Sequence, residues 1–130
     1  MSNIYWLDRD KQIVYWNTFR EGDIADVFQD FDHYISMVQS VEGPVFLILD
    51  FTANDTPRTD IVPHFPALGR RLSAVKDRVP FVSVVSEKLF AKSLMKIFGS
   101  VTEDEIHYFS TVEDAIAFIN EYQESHLPEI

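Results

Sequence analysis

Asp50 closes an unbroken apolar run, Val45-Phe46-Leu47-Ile48-Leu49, and Phe51 leads from it into a turn-rich segment, Thr52-Ala53-Asn54-Asp55-Thr56-Pro57. A carboxylate in that place has two chemistries open to it. It can accept a phosphoryl group, or it can accept hydrogen bonds from the N–H groups of its own loop, the commoner habit of an aspartate at a turn. Thr59, between Arg58 and Asp60, has a hydroxyl that a kinase could modify, although a threonine before an acidic residue is also an ordinary way for a helix to begin. Phosphate on Thr59 would meet Arg58 favourably and Asp60 unfavourably. Ser86 ends a second apolar run, Phe81 to Val85. Lys88, Lys92 and Lys96 recur every four residues, which places them on one stripe of a helix. Such a stripe is either a solvated face or a dock for an acidic partner or phospholipid headgroups. His33, His64, His107 and His126 share no close spacing with one another or with a ligand set, so no metal site is expected. Glycines scattered at 22, 43, 69 and 99 cannot build a phosphate cradle. Nucleophile elbows and paired catalytic carboxylates are also missing, and no cofactor is expected.

The elements that must position these groups share one core. A chain of 130 residues that is 46% hydrophobic closes a single core of ordinary size. The expectation is one domain over residues 1–123 and a frayed acidic tail over 124–130. Cysteine is absent, which removes disulfides and thiolate chemistry together and fits a reducing compartment. The opening residues lack the basic start and apolar core of a signal peptide, and no run approaches the roughly 20 residues that span a bilayer, so a cytoplasmic chain is expected. The net charge of −10 is unevenly spread: residues 58–96 hold eight basic and three acidic residues, a net +5, and the rest of the chain carries −15. Nucleic acid is not an expected partner of so acidic a chain.

Ile4 to Leu7 and Gln12 to Trp16 are β-branched and aromatic runs separated by a polar connection of hairpin length, so an antiparallel pair should open the fold. Asp23 is placed to cap a helix through Ile24, Val27, Phe28, Phe31, Ile35 and Val38, which should stop near Glu42-Gly43-Pro44. The run from Pro44 to Phe51 has no polar residue from Val45 to Leu49, so it reads as a central strand covered on both faces. Two prolines, Pro63 and Pro66, fit only the first turn of the next helix. Pro80 to Val85 is a second buried strand, and Ser86 should cap a helix carrying Leu89, Phe90, Leu94, Ile97 and Phe98, closed by Gly99. Ile106 to Phe109 is a shorter strand, and Ser110 with Glu113 has the capping-box form at the head of a last helix. The order ββαβαβαβα implies an α/β fold, a mixed and mostly parallel sheet with an N-terminal antiparallel hairpin and helices packed on it.

The hairpin, the Gly22-Asp23 entry to the first helix, the Leu47-Ile48-Leu49-Asp50-Phe51 strand and the ending Tyr108-Phe109-Ser110-Thr111-Val112-Glu113-Asp114-Ala115 together resemble the STAS domain, named for sulphate transporters and anti-sigma-factor antagonists, in its single-domain bacterial form. The resemblance covers nearly the whole chain and rests on fold-level motifs. It implies a non-enzymatic regulatory domain with a protein partner, in some relatives a kinase that phosphorylates a Ser in an Asp-Ser pair. The pair equivalent by count from Asp50 is Arg58-Thr59, where Arg stands for the aspartate. Asp50 also resembles the acceptor of receiver domains, which need an acidic pair after the first strand and a lysine after the last. Ser110-Thr111 offers no such lysine.

The main expectation is therefore a non-enzymatic protein-interaction domain. The alternative is a carrier or sensor of a small apolar or lipid-like ligand, motivated by Tyr5, Trp6, Tyr15, Trp16, Phe65 and Phe90, more aromatic surface than so small a core needs. A homodimer is also expected, with Trp6 or Trp16 in its interface.

Overall fold

The computed structural model describes residues 4–17, 23–53 and 59–126. Five strands, β1 (Ile4–Asp8), β2 (Ile13–Asn17), β3 (Phe46–Asp50), β4 (Val82–Val85) and β5 (Ile106–Phe109), form one sheet in that spatial order. β1 runs antiparallel to β2 and every other pair is parallel. Helices α1 (Ile24–Gln39), α2 (Phe65–Leu72), α3 (Leu89–Thr102) and α4 (Val112–Ser125) complete the order ββαβαβαβα. The α/β class, the mixed sheet and its opening hairpin are as the sequence implies, and β3 is the central strand, buried along its whole length.

Strand order decides how the faces are covered. From β2 to β5 each crossover steps to the next position in the same direction, and right-handed connections that all step one way put their helices on one side. Val14, Trp16, Leu47, Leu49, Val82 and Val84 accordingly pack with Val27, Phe31, Tyr34, Leu68, Leu94 and Phe98 of α1, α2 and α3. The opposite face has only α4, whose Ala115 and Ile119 lie against Ile13, Phe46, Ile48 and Val85. α4 rests chiefly on β3, β4 and β5 and reaches the hairpin's turn, where Lys11 Nζ donates to Asn120 Oδ1 and Gln123 Nε2 to the Lys11 carbonyl, which leaves β1 the least covered strand of that face. Tyr5 and Leu7, which alternate on β1 away from the buried Ile4, are 51% and 37% exposed there.

Local chemistry sets the helix ends. Asp23 caps α1 in a full capping box, its carboxylate accepting from the Asp26 N–H while Asp26 accepts from the Asp23 N–H, each at 3.0 Å. The helix ends at Gln39, just past the last apolar position, Val38, and short of the stop expected near Glu42-Gly43-Pro44, and Gly43 takes its positive φ of 83° in the loop beyond. Thr59 to His64 form a 3-10 segment ahead of α2 and hold Pro63, while Pro66 falls in the first turn of α2, where its missing N–H is not needed. Gly99 does not close α3. The helix runs on to Thr102 and ends at Glu103 in the left-handed conformation, φ 60°. Gly99 serves close approach instead: a Cβ there would stand 2.7 Å from Ile106 Cδ1. Ser110 does not cap α4 either; Thr111 does, its hydroxyl accepting from the Asp114 N–H at 3.1 Å. α4 extends to Ser125, so Glu124 belongs to the helix, while residues 127–130 of the expected tail lie outside the described residues.

Trp16 is 2% exposed and packs edge-on against Phe31 at 5.0 Å. Its place on β2, an interior strand facing three helices, removes it from any surface of the single chain, correcting the expectation that it forms a dimer interface. Phe65 is buried as well, so two of the supposed surplus aromatics are core.

Candidate functional site

Asp50 ends β3 with its side chain on the α4 face, and it is 6% exposed. One carboxylate oxygen accepts from the Tyr15 hydroxyl, across the β2–β3 pair, and the other accepts from the Thr52 N–H at 2.8 Å. A carboxylate bonded to its own loop two residues on forms an Asx-turn. Tyr15 is the partner that the sequence did not disclose. Its hydroxyl is held protonated to higher pH than an ordinary tyrosine, first by burial and then by the hydrogen bond to Asp50. Both Asp50 oxygens thus hold the β3 exit in shape. Ser86, also buried, is not the side-chain cap of α3. Lys88 is the N-cap, and the Ser86 hydroxyl accepts from the Lys88 N–H at 3.0 Å, forming a tight turn ahead of the helix. Thr59 is exposed at the start of the 3-10 segment, and Arg58 and Asn54 lie outside the described residues. The strand order does not reverse across the parallel part of the sheet, so among the described residues no switch-point crevice gathers Asp50, Thr52, Ser86 and Ser110.

The basic segment is used in two ways. Arg71 on α2 pairs with Asp32 on α1 at 2.5 Å and lies over the Phe28 ring at 4.6 Å. Lys76 donates to the Thr102 carbonyl at 2.7 Å, and Arg78 donates to the Gly43 and Val41 carbonyls at 2.8 and 2.6 Å. These cations stitch the acidic and basic segments of one chain together. Lys92 and Lys96 are different, making no hydrogen bond or ion pair with any described residue. On the same helix Leu89 is 78%, Ile97 47% and Val101 45% exposed, spread over about 120° of its girth at 3.6 residues per turn, with the two lysines next to Leu89. Leu89 and Ile97 were read from the sequence as core positions. The core keeps the expected Leu94 and Phe98 and takes Ala91 and Met95 besides, with Phe90 packed at its edge.

The histidines are scattered as their spacing implies. His33 is exposed, and His64 meets Phe28 edge-on at 6.0 Å. His107 stacks at 4.7 Å on Phe118 and contacts Glu105 at 3.0 Å, and His126 lies on the Tyr122 ring at 3.9 Å. Among the described residues no three side chains of metal-binding type converge, and no helix is long and apolar enough to cross a membrane.

A cavity of about 50 Å³ lies on the other face of the sheet, towards the amino ends of β4 and β5. Trp16, Phe31, Tyr34, Phe65 and Phe98 form its walls, and Ser73, Lys76, Thr102 and Asp104 edge its mouth. Tyr34 went unnoticed in the sequence, although it stands three residues after Phe31 and so on the same helix face. No protein-family model, curated protein or solved structure matches the chain.

Proposed function

We propose that the chain is a non-enzymatic protein-interaction domain of STAS-like form that docks a partner on the outward face of α3. The observation that carries this reading is that Leu89, Ile97 and Val101 are exposed on a helix whose buried side is already filled, over an arc of about 120° that also holds Ser93 and Ser100, with Lys92 and Lys96 beside Leu89. Several large apolar side chains left exposed on one element, next to charge, mark an interaction surface more than the same residues scattered over the molecule would. The two lysines fit a partner that presents carboxylates beside an apolar surface. A lesser reading, a phosphoacceptor at Asp50, is opposed by that carboxylate's engagement with Tyr15 and Thr52.

The test is co-purification from the cells of origin, comparing tagged wild type with Ile97→Glu. A protein retained stoichiometrically by the wild type and lost by the variant supports the reading. Retention that ignores Ile97→Glu, or a specific turnover abolished by Asp50→Asn in a substrate screen, contradicts it.

A second copy of the chain is the proposed occupant of the β1 edge. Tyr5 and Leu7 are exposed on the strand that α4 covers least, and Trp6 beside them is half-buried. The lack of cysteine favours the cytoplasm as the setting.

A further inference from the structure

We propose that the cavity walled by α1, α2, α3 and the sheet is a binding site for a small neutral amphipathic molecule, a chain of about three carbons bearing one hydroxyl or carbonyl, with the Tyr34 hydroxyl as its hydrogen-bond donor. Size comes first. An apolar cavity of 150 Å³ accepts benzene, so one of about 50 Å³ takes roughly three or four heavy atoms and cannot hold a lipid chain. The walls give the apolar part of the ligand: Leu47, Leu49, Val82 and Met95 join the aromatic rings.

The polar part follows from Tyr34. Its side chain is 2% exposed and borders the cavity, and its hydroxyl makes no hydrogen bond with any described residue but is not sealed from solvent. A tyrosine O–H at an apolar wall ordinarily finds a partner, and a ligand oxygen in the cavity would supply one in place of water. The preference for a neutral ligand follows from the mouth. Asp104 lies close enough for its charge to favour the protonated Tyr34, while Lys76 already donates to the Thr102 carbonyl. The mouth holds one cation, Lys76, and one anion, Asp104, so it favours neither sign, and a charged ligand of either kind would have to bring its charge into an apolar cavity. A neutral alcohol or ketone meets no such penalty. This site is separate from the α3 docking face, and its failure would leave that reading standing.

The test uses tryptophan emission. Of the two tryptophans, Trp16 borders the cavity and Trp6 does not, so Trp6→Phe leaves a single reporter. Titration with 1-propanol, 1-chloropropane, propanoate and propylamine should give saturable changes in the millimolar range for the first two, the scale open to ligands of four heavy atoms, and weaker ones for the ions. In Tyr34→Phe the alcohol should lose about fivefold in affinity, the worth of one neutral hydrogen bond, and the chloride should be unchanged. Ser73→Phe at the mouth and Val79→Phe at another lining position should abolish both while keeping the thermal midpoint within a few degrees. The proposal is overturned if no ligand saturates, if both filled variants still bind, or if Tyr34→Phe weakens alcohol and chloride alike.

Discussion

Tyr15, Asp50 and Thr52 show how a residue with the look of a reactive group can be structural. Asp50 is buried and both its oxygens are engaged, so removing a donor leaves a desolvated charge short of a partner. Tyr15→Phe is expected to cost about 1–3 kcal/mol in urea unfolding, and a loss below about 0.5 kcal/mol would show the bond to be dispensable. Ser83 presents the opposite case: its hydroxyl is fully buried between β3 and β5 with no hydrogen bond among the described residues. Ser83→Ala should be neutral or stabilising by up to about 1 kcal/mol. Tyr34 sets an alkaline limit. Burial, then the Asp104 charge, raises its folded value above the ordinary 10.0. The folded chain keeps that proton while the unfolded chain releases it above pH 10, so stability is full below about pH 10 and falls as pH rises beyond it. Tyr34→Phe should flatten that fall by about one proton, a slope measurable by urea unfolding between pH 9 and 11.

At the scale of elements, periodicity and turn chemistry carried most of the fold. Ile106 to Phe109, the Asp23 cap and the central strand were legible because each rests on local composition. Gly99, Ser86 and Ser110 all have residue types suited to caps, and the helix ends fall elsewhere for a tertiary reason at Gly99 and for local turn geometry at Ser86 and Ser110. Gly99 is selected by the nearness of Ile106, and Thr111 reaches the Asp114 N–H where Ser110 does not. Thr111→Ala should therefore cost about 1 kcal/mol and Ser110→Ala almost nothing. Gly99→Ala should gain helix propensity in an Ile106→Val background, where the crowding methyl is gone, and lose about 0.5–1 kcal/mol of that gain when Ile106 is intact. Equal effects in both backgrounds would show that Ile106 does not impose the glycine. Leu89 and Ile97 of α3 were the costliest misreading, because spacing alone cannot say which apolar positions of the helix meet the sheet.

For the whole molecule, strand order accounts for the unequal coverage that leaves Tyr5 and Leu7 uncovered. The proposed pairing of two copies there is apolar, so sedimentation should show dimer persisting at about 0.5 M salt, where exposed charge pairs are screened, and Leu7→Glu should abolish it. Wild type that stays monomeric at tens of micromolar protein would contradict that pairing. The central claim concerns the other surface, and site-specific photocross-linking in the cells of origin tests it most directly, with the reactive residue at Ile97 on α3 and, as control, at the exposed Ser36 on α1. A discrete protein adduct from position 97, heavier than the chain by a mass other than its own 15.1 kDa and absent from position 36, is the predicted result. No adduct at position 97, or the same adducts at both positions, would contradict it.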